Sequence, residues 1–172
     1  MQEFEIIVDF NGIILADPSR LEAFYDGIAP DTNLYRRFVE TNDGDEVVNR
    51  GIIVPIIGIN DGVYRVLVRE NSEKSSVPES HMIVSNGIFP FMVEHYAALM
   101  DMANLWEWYP DRNEAVVSMA PGCYEVQING FREVINGVVE DFGFEFVLKK
   151  CSVLPSMTGS LTENMQVREL PS

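Results

Sequence analysis

Seven Asn-Gly or Asp-Gly dipeptides punctuate this chain of 172 residues, and they constrain its fold more than any other feature. Six of them stand at 11–12, 43–44, 61–62, 86–87, 129–130 and 136–137, and the seventh is Asp26-Gly27. Both residue types tolerate the positive φ angles of tight hairpin turns, and most of these pairs lie between runs rich in β-formers. Read as turns, they join Phe4–Phe10 to Ile13–Ala16, Met82–Ser85 to Ile88–Phe91, and Cys123–Ile128 to Phe131–Ile135. Pro18 stops the first hairpin, Leu21–Tyr25 reads as a helical turn, and Leu34–Thr41 stays open between helix and strand.

Patterning fills in the rest. Gly51–Ile59 is almost wholly apolar, with Pro55 demanding a bend or a sheet edge. After Asn60-Asp61-Gly62, the run Val63–Arg69 alternates, with Tyr64, Val66 and Val68 on one face and Arg65 and Arg69 on the other. Phe142, Phe144, Phe146 and Leu148 alternate in the same way. Glu70–Ser80 is a polar surface loop. Met92, Tyr96, Leu99, Ala103 and Trp106 recur at helical spacing. They predict one principal helix over about 91–106, packed across a sheet and ended at the latest by Pro110. The expected fold is mainly β (α+β), an antiparallel β-sandwich or curled sheet built from hairpins with that one helix. Residues 1–154 form a single β-rich domain, and 155–172 a polar C-terminal tail with partial mobility.

Composition narrows the function classes. Hydrophobic residues make up 47% and charged residues 23%, as in ordinary globular chains. The 27 acidic against 12 basic residues leave a formal charge of −15. That balance tells against nucleic acid and anionic membranes, both of which recruit basic surfaces, and favours a basic protein partner. Solubility alone is the plainer reading of the charge. Cys123 and Cys151 make no disulfide framework. Acidic residues at the start, where a signal peptide carries Lys or Arg, and the lack of a membrane-length apolar run point to a cytoplasmic setting.

No phosphate loop, nucleophile elbow, zinc motif or calcium loop appears, so no residue pattern assigns a cofactor or a metal. Asn42-Asp43-Gly44-Asp45-Glu46 lacks calcium-loop spacing. A Cys123–His95–Asp101 grouping fails on spacing, since residues six apart do not share a helix face. Glu94 and Asp101 share a predicted helix face, which keeps a carboxylate-based hydrolase in view. In Leu105-Trp106-Glu107-Trp108-Tyr109, Trp106 belongs to the predicted core face, while Trp108 divides evenly between core capping and an interface.

Two segments share Gly-x-Tyr-x-Val-x-(Val/Ile): Gly62–Val68 and Gly122–Ile128. They predict two similar half-sheets facing each other. With the Phe144-Glu145-Phe146 strand, this layout resembles small acidic β-rich bacterial immunity proteins, including competence-associated nuclease inhibitors. The resemblance implies a non-catalytic protein that neutralises a toxin or nuclease by occlusion, and it carries over no functional residue. The acidic balance itself nominates Glu40, Asp43, Asp45 and Glu46 in one loop, with Asp26 and Asp31, as partner-binding residues, and Trp108 joins them. Two other readings stand beside it: the hydrolase, and an accessory subunit of a phage or secretion assembly.

Overall fold

The computed structural model describes residues 1–109 and 115–170. It is mainly β, with two sheets and a helical layer. The five-stranded sheet runs β1 (Gln2–Val8), β4 (Gly62–Glu70), β9 (Val138–Cys151), β8 (Gly122–Ile135), β5 (Met82–Val93) in spatial order. The four-stranded sheet runs β3 (Ile53–Ile57), β2 (Gly12–Ala16), β6 (Ala97–Asp101), β7 (Ala115–Val117). Pairings are antiparallel except β4 with β9, which run parallel. Helices α1 (Pro18–Phe24), α2 (Leu34–Glu40), α3 (Asp43–Asn49) and α4 (Ala103–Trp106) complete the described elements, with a 3-10 turn at Glu79–His81.

The two sheets bury their facing sides in one core. The four-stranded sheet is also covered on its outer side by α2 and α3, so every residue of β2 is buried. A strand covered on both faces must be apolar throughout. This explains the unbroken runs Ile13–Ala16 and Ile52–Ile57. The five-stranded sheet is half solvated and keeps its alternation, with Tyr64, Val66, Val68, Phe144 and Phe146 turned inward. Pro55 lies on β3, an edge strand, as its missing N–H requires. On edge strand β5, Ile88 O accepts from Thr158 N at 2.8 Å and Met92 N donates to Gly51 O at 2.8 Å. Pro90 falls in phase between these outward-facing groups, so no ladder bond is lost there.

The helix expected over 91–106 is not formed. Val93 ends β5, Ala97–Asp101 is strand β6 between β2 and β7, and only Ala103–Trp106 is helical. β6 is buried on both faces, so an apolar residue satisfies any period at each position, and pairing with β2 decides the conformation. Leu34–Thr41 resolves as helix α2, capped by the Asn33 side chain, which accepts from Arg36 N.

The dipeptides are also redistributed. Only Asn136-Gly137 turns a hairpin, between β8 and β9, with φ of 52° and 79° at its two residues. Asn11-Gly12 and Asp61-Gly62 carry the chain from one sheet to the other. Asp43-Gly44 opens α3, Asn86-Gly87 sits at a register shift inside β5, and Asn129-Gly130 lies within β8. The two Gly-x-Tyr-x-Val segments lie in the same sheet, on β4 and β8 with β9 between them, and do not face each other. Each tyrosine hydroxyl nonetheless donates to the carbonyl four residues back: Tyr64 to Asn60 at 2.7 Å and Tyr124 to Ala120 at 2.6 Å.

Residues of the expected C-terminal tail pack onto the fold. Thr158 and Gly159 donate to Ile88 O, and Asn86 exchanges hydrogen bonds with the Ser160 backbone. Met165 and Val167 are 3% and 0% exposed and join the core. Gly130 makes room for this, since a Cβ there would crowd the Val84 and Val167 side chains.

Candidate functional site: an acidic-edged apolar cleft

A cleft of about 170 Å³ lies between the helical layer and the four-stranded sheet. Its floor includes Ile14, Ile53 and Met102, and its walls Tyr35, Phe38 and Val47. Leu161 of the tail closes one side, and Asp45 stands on the lining. Tyr35 leads outward to an aromatic ledge. Its ring centroid is 4.9 Å from Phe10 and 5.9 Å from Trp106, and Phe10 lies 5.3 Å from Trp106. Trp106 is 48% exposed on that ledge.

α3 supplies the acidic edge. Asp43, Asp45 and Glu46 occupy its first turn, where negative groups suit the partial positive charge of a helix start. Asp43 accepts from the Tyr25 hydroxyl at 2.8 Å, which ties the end of α1 to the start of α3. Burial, then Asp43, pushes the Tyr25 pKa well above its ordinary value. Glu46 pairs with Arg50, and Glu40, on α2, with Arg36, both at 2.9 Å. Asp26, Asp31 and Asp45 are exposed and make no ion pair or side-chain hydrogen bond among the described residues. Asp26 and Asp31 adopt φ of 54° and 62° in the loop between α1 and α2. Structure thus gathers Asp43, Asp45 and Glu46 beside the cleft. Asp31 falls elsewhere, next to Thr32, whose carbonyl receives the Trp108 N–H at 3.1 Å.

The tryptophan assignment reverses. Trp108 is 1% exposed, and its indole N–H donates to Glu22 at 2.5 Å, so it is a core residue. Trp106 takes the exposed role. Helix α4 ends at Trp106 and Glu107 is extended, so the two indoles do not share one helix.

Other titratable groups serve the fold. Asp17 is fully buried; its carboxylate accepts from Ser19 N and Arg20 N, capping α1, and from Glu94 N and His95 N across the fold. Nothing in its local sequence marks the second pair. Glu94 pairs with Arg20, whereas Asp101 ends β6 and accepts from Asp9 N and Ala103 N, so the two carboxylates do not converge. Burial raises the Asp101 pKa. His95 does not meet Cys123, which lies opposite Met92 and Cys151. On the outer face of the five-stranded sheet, buried Glu145 accepts two bonds from Arg69, one from Ser75 and one from Asn129. This network pins the loop after β4 over a small cluster of Leu67, Val77 and Phe131. Among the described residues no group of three or more His, Cys, Asp or Glu is placed to hold a metal ion. No described helix is long and apolar enough to cross a membrane.

No family model and no curated protein matches the chain. One solved structure, that of "Crocagin biosynthetic gene J", is similar with a TM-score of 0.51 at 18% identity, covering 87% of this chain and 99% of that one. At this identity the likeness shows a shared fold.

Proposed function

We propose that the protein acts by binding, and that the helical face receives a basic partner which it neutralises by occlusion, in the manner of an immunity protein or nuclease inhibitor. The observation that carries this reading is the coincidence of three features on one face: an apolar cleft, an exposed Trp106–Tyr35 ledge, and the α3 carboxylates. Interfaces concentrate their energy in aromatic anchors, while charges at the rim steer encounter. The net charge of −15 extends that attraction over the whole surface.

The test is a pull-down from the native host at low salt, run with wild type and with the D43K/D45K/E46K variant. A stoichiometric basic protein held by wild type, released by high salt and lost by the variant supports the reading. Equal retention by the variant removes the helical face from consideration. A second reading, a biosynthetic component, draws on the name of the structural neighbour and on the same cleft, which would then seat a small apolar molecule. Thermal stabilisation by such a molecule, abolished in Val47→Phe, distinguishes it.

A further inference from the structure

The two cysteines of the chain stand opposite each other across adjacent strands: Cys123 near the start of β8 is the register partner of Cys151 at the end of β9. Residues directly opposite on antiparallel strands hold their Cα atoms about 4.5–5.5 Å apart, with both side chains on one face. A disulfide closes over that span without backbone movement. Both residues are free thiols and half-buried, so a small reagent can reach them. The ladder beside them is regular, with Tyr124 opposite Lys150 and Glu125 opposite Lys149. On the same face Lys149 and Glu125 form an ion pair at 2.8 Å. The thiols are therefore held in register rather than meeting by chance at frayed ends. Burial, followed by the neighbouring Cys123 and Glu125, keeps the Cys151 thiol above its ordinary pKa. Its thiolate is accordingly sparse at neutral pH and more abundant as pH rises.

We propose that Cys123 and Cys151 are an oxidisable pair which closes an intramolecular disulfide by exchange with a low-molecular-weight disulfide such as oxidised glutathione. One cysteine thiolate attacks a sulfur of oxidised glutathione and expels a glutathione thiolate, leaving a mixed disulfide on the protein. The facing thiolate attacks the protein-bound sulfur and expels the second glutathione. Two protein thiols are oxidised, their protons pass to the departing thiolates, and one oxidised glutathione becomes two reduced ones. The bond would clamp the ladder where the chain leaves β9 for the tail that covers the β5 edge. The inference is independent of the binding reading above.

The full chain is incubated with oxidised glutathione, quenched by alkylation and weighed intact. The expected product is two hydrogens lighter than the reduced chain, carries no alkyl group, and yields a Cys123–Cys151 linked peptide without reduction. Its Tm should exceed that of the reduced chain by about 5 °C or more. Cys123→Ser and Cys151→Ser should each stop at a single glutathione adduct. Wild type that stays reduced, accumulates two glutathione adducts, or links into dimers overturns the proposal.

Discussion

Glu145→Ala isolates the network on the outer face of the five-stranded sheet. The native carboxylate is 0% exposed and receives Arg69 at 2.9 and 3.2 Å, Ser75 at 2.5 Å and Asn129 at 3.2 Å. Removing it strands a mostly buried guanidinium and leaves two neutral donors to find other acceptors. Breaking a buried pair from one side costs about 3–5 kcal/mol. At about 2–4 °C per kcal/mol for a chain of this size, Tm should fall by roughly 6–20 °C. The pH dependence gives a second handle. Burial raises the Glu145 pKa, but Arg69, Ser75 and Asn129 outweigh it, and the net shift is downward. A carboxylate with a lowered folded pKa contributes stability above its unfolded value, about 4.3, and loses it as pH falls through the folded value. The gap between wild type and variant should therefore be full at neutral pH and narrow in acid. Urea unfolding across that range, with Arg69→Met/Glu145→Leu as the apolar replacement, reads both. The double variant should recover most of the loss. A deficit of less than about 1 kcal/mol, or one unchanged down to the acid limit, would refute the reasoning.

Other predictions follow from single contacts. Asp17→Ala removes the side-chain acceptor of Ser19, Glu94 and His95 N–H, while Arg20 N keeps the Asp17 carbonyl, and should cost about 3 kcal/mol in urea unfolding, with Asp17→Asn losing less. Trp108→Ala should cost about 3–5 kcal/mol and Trp106→Ala less than about 1 kcal/mol, and the residual fluorescence of each variant will report one buried and one wetter indole. In Gly143→Ala the new Cβ would overlap the Arg65 carbonyl across the parallel β4–β9 pair, so that variant should lose roughly 3 kcal/mol or more by thermal melt. Burial pushes the Tyr64 pKa to about 12. The neutral phenol is favoured in the fold, so its stabilisation holds below about pH 10 and disappears as pH rises through the folded value. Tyr64→Phe should flatten the alkaline limb of the stability curve.

The residues that were legible in sequence are those with one wet face. β4 carries its alternation openly because Arg65 flanks the buried Tyr64 and Val66, and Arg69 follows the buried Val68, while β9 alternates in sequence through Phe142, Phe144, Phe146 and Leu148 although its outward Glu145 is itself buried. β6 carries no such mark; covered on both sides, Ala97–Met100 admits any period, and a helical one fits by coincidence. The Asn-Gly and Asp-Gly pairs do mark special backbone, but a crossing between sheets asks for the same positive φ as a hairpin does, as Asn11 shows at 58°. Helix α4 ends at Trp106 and Glu107 is extended, so Trp108 leaves the helix and turns into the core while Trp106 stays on the surface, a break that helical spacing in the sequence does not reveal. The acidic edge could be read from Asp43, Asp45 and Glu46. The cleft beside it could not, because Tyr35, Ile53 and Leu161 meet only in the finished fold.

The burial of Met165 and Val167 bears on how the chain is made. β1 waits for β4, β4 for β9, and the core for residue 167. During synthesis, which proceeds at about 5–20 residues per second, the sheets can gather but the core cannot close until that valine has cleared the ribosome. Until residue 167 has emerged, the apolar strands of both sheets await their last core partner.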